Sequence, residues 1–138
     1  MGYAWNIMKT LVLMIALLTG CATTLPWQDN RQDTLRQEAE YLAGLVKVKK
    51  ITRVQAADRL NIKRVELVGR NPYDDEVFDY YRHLAEERDQ KRLGPSESHS
   101  LMRKKLDEVR TRYHREPTPG KMPVFTNYML SLYKLPPL

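Results

Sequence analysis

Ile51-Thr52-Arg53-Val54-Gln55 is the stretch that decides the fold of this chain. Thr52 and Gln55 fit a capping box, in which each side chain accepts a hydrogen bond from a backbone N–H that the first helical turn leaves unpaired. A helix therefore begins at Arg53. One face of this helix contains Val54, Ala57, Asn61, Val65 and Val68, flanked by Leu60 and Leu67. Gly69 fits the left-handed position just past the helix end, where φ is positive.

A preceding helix is predicted to run from about residue 30 to Val48. Asp29 or Asn30 can cap its first turn, and apolar residues at spacings of four, three and four indicate one buried stripe. The stripe consists of Leu35, Ala39, Leu42 and Val46, widened by Tyr41 and Leu45. The two helices are expected to form an antiparallel hairpin.

The chain breaks between its halves at residues 69–73, where Pro72 disfavours helical backbone at the residue before it. A third helix is predicted to follow. Its first turn contains three acidic residues, Asp74, Asp75 and Glu76. We attribute them to the positive end of the helix dipole, which stabilises negative charge, and not to metal binding. The buried stripe is expected at Val77, Tyr81 and Leu84, with Phe78 and Ala85 beside it.

A fourth helix is predicted to start at Gly94-Pro95-Ser96-Glu97, because proline suits the first helical position. Its stripe repeats at four, three and four through Met102, Leu106, Val109 and Tyr113. The predicted fold is all-α, a small bundle of two antiparallel helical hairpins over residues 30–115. We expect its core to contain Leu42, Val46, Val54, Leu60, Tyr81, Leu84, Met102 and Leu106.

Residues 116–138 are predicted to form a Pro-rich linker and a short apolar C-terminal tail. The side chains that could share one face of a short tail helix are Phe125, Tyr128, Leu132 and Leu135. Disordered segments are normally poor in such residues. Two interpretations stay open: the tail packs on the bundle as a fifth helix, or these four residues bind a partner.

The N-terminus has the pattern of a secretory signal. Lys9 precedes the short apolar run of residues 10–17, which is followed by small residues. A membrane-spanning helix needs about 20 apolar residues, so this run is too short to cross a bilayer. We therefore expect residues 1–20 to be a signal peptide.

Leu18-Thr19-Gly20-Cys21 resembles the lipobox of bacterial lipoproteins, and Cys21 is the only cysteine in the chain. The resemblance implies cleavage between Gly20 and Cys21, attachment of a diacylglycerol to the Cys21 sulfur, and acylation of the new amino terminus. Several acyl chains make such an anchor effectively permanent. Residues 21–29 would be the lipidated tether. Ala22 after the cysteine implies sorting to the outer membrane, with the protein facing the periplasm.

The charge of the exported part is basic. The chain has 23 Lys and Arg and 17 Asp and Glu, and loss of Lys9 with the signal leaves a formal charge of +5. Export would separate the protein from nucleic acid. Anionic lipid headgroups, lipopolysaccharide, cell-wall polymers or an acidic protein are the partners that remain. The candidate anion-binding residues lie at the hairpin tips: Lys47, Lys49, Lys50, Lys91 and Arg92.

A weak internal repeat relates the hairpins and aligns Tyr41-Leu42 with Tyr80-Tyr81. Each hairpin loosely resembles the short helical hairpin domains that bacteria append to membrane proteins. The shared features are an apolar residue before the cap, as at Ile51, and Gln55 or Glu97 at the third helical position. A glycine expected before the apolar residue is missing in the first hairpin. The resemblance implies small interaction modules without chemistry.

No catalytic residue, cofactor or metal site is predicted. The chain has no zinc-binding His-Glu pair, no Gly-x-Ser-x-Gly and no phosphate-binding glycine loop, and acylation of Cys21 removes the only thiol. His83, His99 and His114 are scattered. His83 could chelate a metal with Glu87 one turn later, but we interpret the histidines as surface residues.

The sequence predicts a non-catalytic protein-interaction or structural module, anchored to an envelope membrane by lipid and binding another envelope protein. One alternative is a basic helical module that binds anionic envelope polymers or lipid headgroups. A second alternative is a small enzyme or metal-binding factor that lacks a known motif. An exposed tail would favour the first function, and salt-sensitive binding would favour the basic module. Nothing in the sequence indicates an oligomeric state.

Overall fold

A computed structural model describes residues 30–117 and 119–138. The described residues form five α-helices and contain no strand, which confirms the all-α prediction. The helices are α1 (Asn30–Lys47), α2 (Arg53–Val68), α3 (Pro72–Asp89), α4 (Pro95–Arg115) and α5 (Val124–Leu132). The predictions for the signal peptide, the lipobox and the tether lie outside the described residues.

The capping box at the start of α2 is present as predicted. The Gln55 backbone N–H donates to the Thr52 hydroxyl over 3.1 Å, and the Thr52 backbone N–H donates to Gln55 Oε1 over 2.9 Å. At the other end of α2, Gly69 has the predicted positive φ, at 72°. Its ψ of −167° lies outside the left-handed helical region. The cap bond runs from the Gly69 N–H to the Val65 carbonyl.

The break between the two hairpins lies at the predicted proline. Pro72 is the first residue of α3, and the Asn71 side chain caps the helix. Asn71 Oδ1 accepts hydrogen bonds from the backbone N–H groups of Tyr73 at 3.0 Å and Asp74 at 3.4 Å. The Asn71 amide also donates to the carbonyl of Lys121 over 3.1 Å, which ties this turn to the segment before α5.

One core lies between all five helices. Of the predicted core, Leu42, Leu60, Leu84, Met102 and Leu106 are buried, while Val46, Val54 and Tyr81 are half-buried. The prediction that Tyr41 widens the stripe of α1 is wrong, because its side chain is 62% exposed. Consecutive helical residues are about 100° apart around the axis, so Tyr41 points away from the face that contains Leu42.

The C-terminal tail is part of the bundle. α5 packs against α1, α3 and α4, and every side chain from Val124 to Leu130 is buried. The tail therefore packs on the bundle as a fifth helix, which is the first of the two predicted alternatives. Phe125 is fully buried and Tyr128 is 5% exposed, so neither can form the predicted partner-binding face. Leu132 is 50% exposed.

The turns after α1 and α3 have the same backbone geometry. Lys49 and Lys91 both have φ of 59°. Each follows its helix in a Schellman motif, in which the next residue, Lys50 or Arg92, bonds back to a carbonyl five residues earlier. Corresponding positions in the two hairpins are therefore 42 residues apart, as Lys49 and Lys91 are. This register pairs Tyr41 with His83, and the predicted alignment with Tyr80 is wrong.

Candidate functional site: the basic end and the adjoining cavity

The tips of both hairpins lie at the same end of the bundle. Asp89, the last residue of α3, accepts hydrogen bonds from the backbone N–H groups of Arg53 at 3.2 Å and Val54 at 2.9 Å. The Arg53 guanidinium lies 3.1 Å from the same carboxylate. Asp89 therefore caps α2 from across the bundle and brings together two turns that are more than thirty residues apart.

We call the two joined turns, residues 47–53 and 86–92, the basic end. They contain seven cationic side chains and three carboxylates. Glu97, in the first turn of α4, adds a fourth carboxylate nearby. With seven cations and four carboxylates, this end has an excess of three positive charges, compared with +5 for the whole exported chain.

The predicted anion-binding residues come together at this end, but not all of them are available. Lys47, Lys49, Lys50 and Lys91 are exposed and form no ion pair with another described residue. Arg92 instead holds Glu87 with two hydrogen bonds of 2.8 and 2.5 Å.

The ion pair of Arg92 with Glu87 neutralises the charges of both side chains. The Arg92 guanidinium lowers the pKa of Glu87 by hydrogen bonding, and the Glu87 carboxylate raises the pKa of Arg92 in return. Both groups therefore stay ionised and cancel one another near neutral pH. The four lysines, and not Arg92, supply the field that an external anion would meet.

A cavity of about 360 Å³ adjoins the basic end and opens between the two hairpins. Its cationic lining residues are Lys47, Arg53 and Arg88. Its depth is lined by apolar side chains, Leu42, Leu60, Leu84 and Met102. Three residues with hydroxyl groups also line it, Tyr81, Ser98 and Tyr133. Arg53 is held by Asp89, whereas Arg88 forms no ion pair among the described residues.

The two tyrosines of the cavity remain protonated at neutral pH. Burial raises the pKa of Tyr81, and the nearby Arg88 charge only partly opposes this effect. Burial likewise raises the pKa of Tyr133. Each phenol can therefore donate a hydrogen bond. The ring of Tyr133 is fixed by stacking on His99, with 4.6 Å between the ring centroids.

Sequence reasoning missed Arg53, Arg88 and Asp89 as residues of this site. Arg53 looked like an ordinary first-turn residue of α2. Arg88 occupies the position that corresponds to Val46 in the repeat, so a correct repeat register would have indicated a polar substitution there. Asp89 gave no local signal, because its hydrogen-bond partners lie in another hairpin.

The three acidic residues at the start of α3 do not form a common site. Asp74 accepts hydrogen bonds from the start of α5. Asp75 lies 2.6 Å from the buried Arg64 guanidinium. Glu76 pairs with Lys105 at 2.6 Å, and with Arg112. In the part of the chain that the structure describes, no group of three or more metal-ligating side chains was found.

Arg64 is a buried cation that the sequence did not indicate. It is 1% exposed and lies between the rings of Phe78 and Phe125, whose centroids are 5.2 and 5.8 Å from its guanidinium carbon. It also donates to Asn61 Oδ1 at 2.8 and 3.0 Å and to Asp75. These contacts join α2 and α3 to α5, so we assign Arg64 to the stability of the core.

In comparisons with known proteins, no protein-family model, no curated sequence and no solved structure matched this chain. Across residues 30–117 and 119–138, no helix has the length and apolar character needed to cross a membrane. The inference of function therefore depends on the geometry of the basic end and of the cavity.

Proposed function

We propose that the protein is a lipid-anchored component of the bacterial cell envelope that binds an anionic polymer through its basic end, without catalysis. The observation that carries this proposal is the convergence on one end of the bundle of four exposed lysines that form no ion pair with another described residue: Lys47, Lys49, Lys50 and Lys91. Clustered charges of one sign raise the local concentration of an oppositely charged partner and accelerate its binding.

The burial of the tail weakens the alternative in which the tail docks into a partner protein. Two of its four proposed contact residues, Phe125 and Tyr128, belong to the core. The exposed apolar side chain of Leu132 is one of several scattered over the surface, and isolated apolar residues are normal there. The tail therefore offers a protein partner fewer apolar side chains than the sequence predicted.

The position of the anchor supports a polymer in preference to the headgroups of the anchoring membrane. Asn30 begins α1, and the basic end lies beyond Lys47 at the opposite end of that helix. An 18-residue helix is about 27 Å long. If Cys21 is lipidated, as we propose, the anchor lies nine residues before Asn30. The basic end is then further from the anchor along the chain than the start of α1 is, which favours the acidic polymers of the cell wall over the anchoring membrane.

The polymer proposal is tested by co-sedimentation of residues 22–138 with purified anionic cell-wall sacculi at increasing NaCl. We expect binding to weaken as salt rises, because exposed charges are screened over about 8 Å at physiological ionic strength. A variant with Lys49→Gln, Lys50→Gln and Lys91→Gln should lose most of the binding.

A matched control removes three exposed cations elsewhere, by Lys104→Gln, Arg115→Gln and Lys121→Gln. It should bind nearly as the unchanged protein does. Equal losses in the two triple variants would show that net charge alone drives binding and would overturn the assignment to the basic end. In-cell crosslinking that captured one specific protein, with no binding to sacculi, would replace the polymer by a protein partner.

The lipid anchor is tested separately. In membrane fractions, mass spectrometry should show a mature chain that begins at a modified Cys21. Cys21→Ser should release the protein from the membrane. An unmodified Cys21 thiol, or a serine variant that stays firmly bound, would contradict lipidation and would also remove the argument about orientation.

A further inference from the structure

The cavity beside the basic end lies where the two hairpins face one another. Several of its lining residues form pairs that are 42 residues apart. The members of each pair occupy corresponding positions in the two hairpins, as Lys49 and Lys91 do. Three of these pairs are apolar on both sides: Leu42 with Leu84, Leu60 with Met102, and Ala43 with Ala85. The floor of the cavity is therefore the shared core of the two hairpins.

Three other pairs that line the cavity differ in polarity between the two hairpins, and the polar member always lies in the second hairpin. Where the first hairpin contributes Ala39, Val46 and Ala56, the second contributes Tyr81, Arg88 and Ser98 at the corresponding positions. At these three positions the first hairpin is small and apolar, whereas the second has two hydroxyl groups and a guanidinium. The side chains of Tyr81, Arg88 and Ser98 donate no hydrogen bond to any described residue, so their donor groups are available to a ligand.

We propose that this cavity binds a single-chain amphipathic anion, an alkyl chain that ends in a carboxylate or a phosphate. The alkyl chain would lie on the apolar floor formed by Leu42, Leu60 and Met102. The anionic group would lie at the rim, between Arg88 and Lys47, with the Tyr81 hydroxyl as a further donor. Arginine suits carboxylate and phosphate alike, because its planar fork can donate two hydrogen bonds.

Three features favour an anion over a neutral or cationic amphiphile. Among the described residues, no Asp or Glu lines the cavity, and the Asp89 carboxylate is already held by the lining residue Arg53. Arg88 and Lys47 have no ion-pair partner among the described residues. Tyr81 keeps its proton because burial raises its pKa, so it donates to an acceptor and does not repel it.

The volume favours one chain. Ligand cavities typically measure about 300–1,000 Å³, and 360 Å³ lies near the lower limit. A ligand with two long acyl chains would not fit. The cavity shares only Lys47 with the exposed lysines proposed to bind a polymer. The variant of Lys49, Lys50 and Lys91 leaves Lys47 in place, so the two proposals can fail independently.

The test uses unlipidated residues 22–138 and calorimetric titration with sub-micellar decanoate, decyl phosphate, decanol and decyltrimethylammonium. Both anions should bind at least about tenfold more tightly than decanol, and the cation should not bind. Arg88→Gln should weaken both anions by at least about tenfold and leave decanol unchanged, because it removes the charged donor that holds the anionic group. The relative affinities of the two anions distinguish a carboxylate ligand from a phosphate ligand.

Two variants that fill the cavity locate the site. Ala39→Phe, at a half-buried lining position, and Ala43→Phe, at an exposed one, should abolish binding of all the probes. Circular dichroism should show that each variant remains folded. Lys104→Gln, on the exposed side of α4, is the control for loss of one positive charge and should bind normally.

Three results would overturn the proposal. Decanol that binds as tightly as decanoate would show that the anionic group is not recognised. Folded filling variants with unchanged affinity would place the ligand elsewhere. Loss of decanoate binding in the Lys49, Lys50 and Lys91 triple variant, with Arg88→Gln unaffected, would show a general attraction to the basic end and no site in the cavity.

Discussion

Replacement of Asp74 should destabilise the whole bundle by detaching α5. The Asp74 carboxylate is 1% exposed and accepts four hydrogen bonds from the start of α5. They come from the backbone N–H groups of Val124 at 3.1 Å, Phe125 at 3.2 Å and Thr126 at 2.8 Å, and from the Thr126 hydroxyl at 2.8 Å. The residue before the helix is Pro123, which supplies no side-chain cap. A side chain of α3 therefore caps α5.

The magnitude follows from these contacts. Loss of a side-chain cap typically costs about 0.5–2 kcal/mol, and each buried donor left without a partner costs about 1–3 kcal/mol more. We expect Asp74→Ala to lower the free energy of unfolding by about 3–5 kcal/mol, since water can reach some of the freed N–H groups. Domains of this size are stable by about 5–15 kcal/mol, so the variant should be close to unfolding.

Urea denaturation of residues 22–138, followed by circular dichroism, measures this loss. Asp74→Asn retains one oxygen acceptor and should lose roughly half as much. Asp79→Ala is the matched control, because Asp79 is an exposed carboxylate on the same helix; a surface change of this kind should stay within about 0.5 kcal/mol. A loss below about 1 kcal/mol in Asp74→Ala would refute the capping role.

Three further results are expected. A chain that ends at Gly120 lacks α5 and should show no cooperative thermal unfolding by circular dichroism; a sharp transition near that of the full chain would contradict the packing of the tail. Asp75→Ala leaves the buried Arg64 without its carboxylate and should cost about 3 kcal/mol in urea unfolding, while Arg64→Met with Asp75→Leu should recover most of it. Burial acts to raise the pKa of Asp89, but hydrogen bonds from two backbone N–H groups and the adjacent guanidinium lower it overall. Because the folded pKa is depressed, the stability difference between wild type and Asp89→Asn should be constant above about pH 4 and shrink as the pH falls below it; a difference that stays constant to pH 2 would contradict this account.

Local interactions made most of the helices predictable. The capping box of Thr52 and Gln55, the proline at the start of α3 and the proline at the start of α4 each act within four residues, so their effects can be read along the chain. The apolar spacing likewise indicated Leu42, Leu84 and Leu106 as core. Periodicity did not place Tyr41, because the width of a buried face depends on the neighbours packed against it.

The predicted basic residues were also visible in the sequence, but their meeting was not. Lys49 and Lys91 lie at one end of the bundle because the hairpins are antiparallel and because Asp89 caps α2. Whether Arg92 is free or paired depended on the distance to Glu87, which the turn geometry sets.

The C-terminal tail shows most clearly what the sequence determines and what only the tertiary structure decides. Its apolar residues could pack on the bundle or bind a partner, and both interpretations agree with the same composition. The difference is made by Asp74, fifty residues before Val124, whose carboxylate supplies the cap that α5 lacks locally. Contacts between residues so far apart in the chain form only when the helices pack. The cavity depends on the same packing, because its lining comes from two hairpins that no local signal brings together.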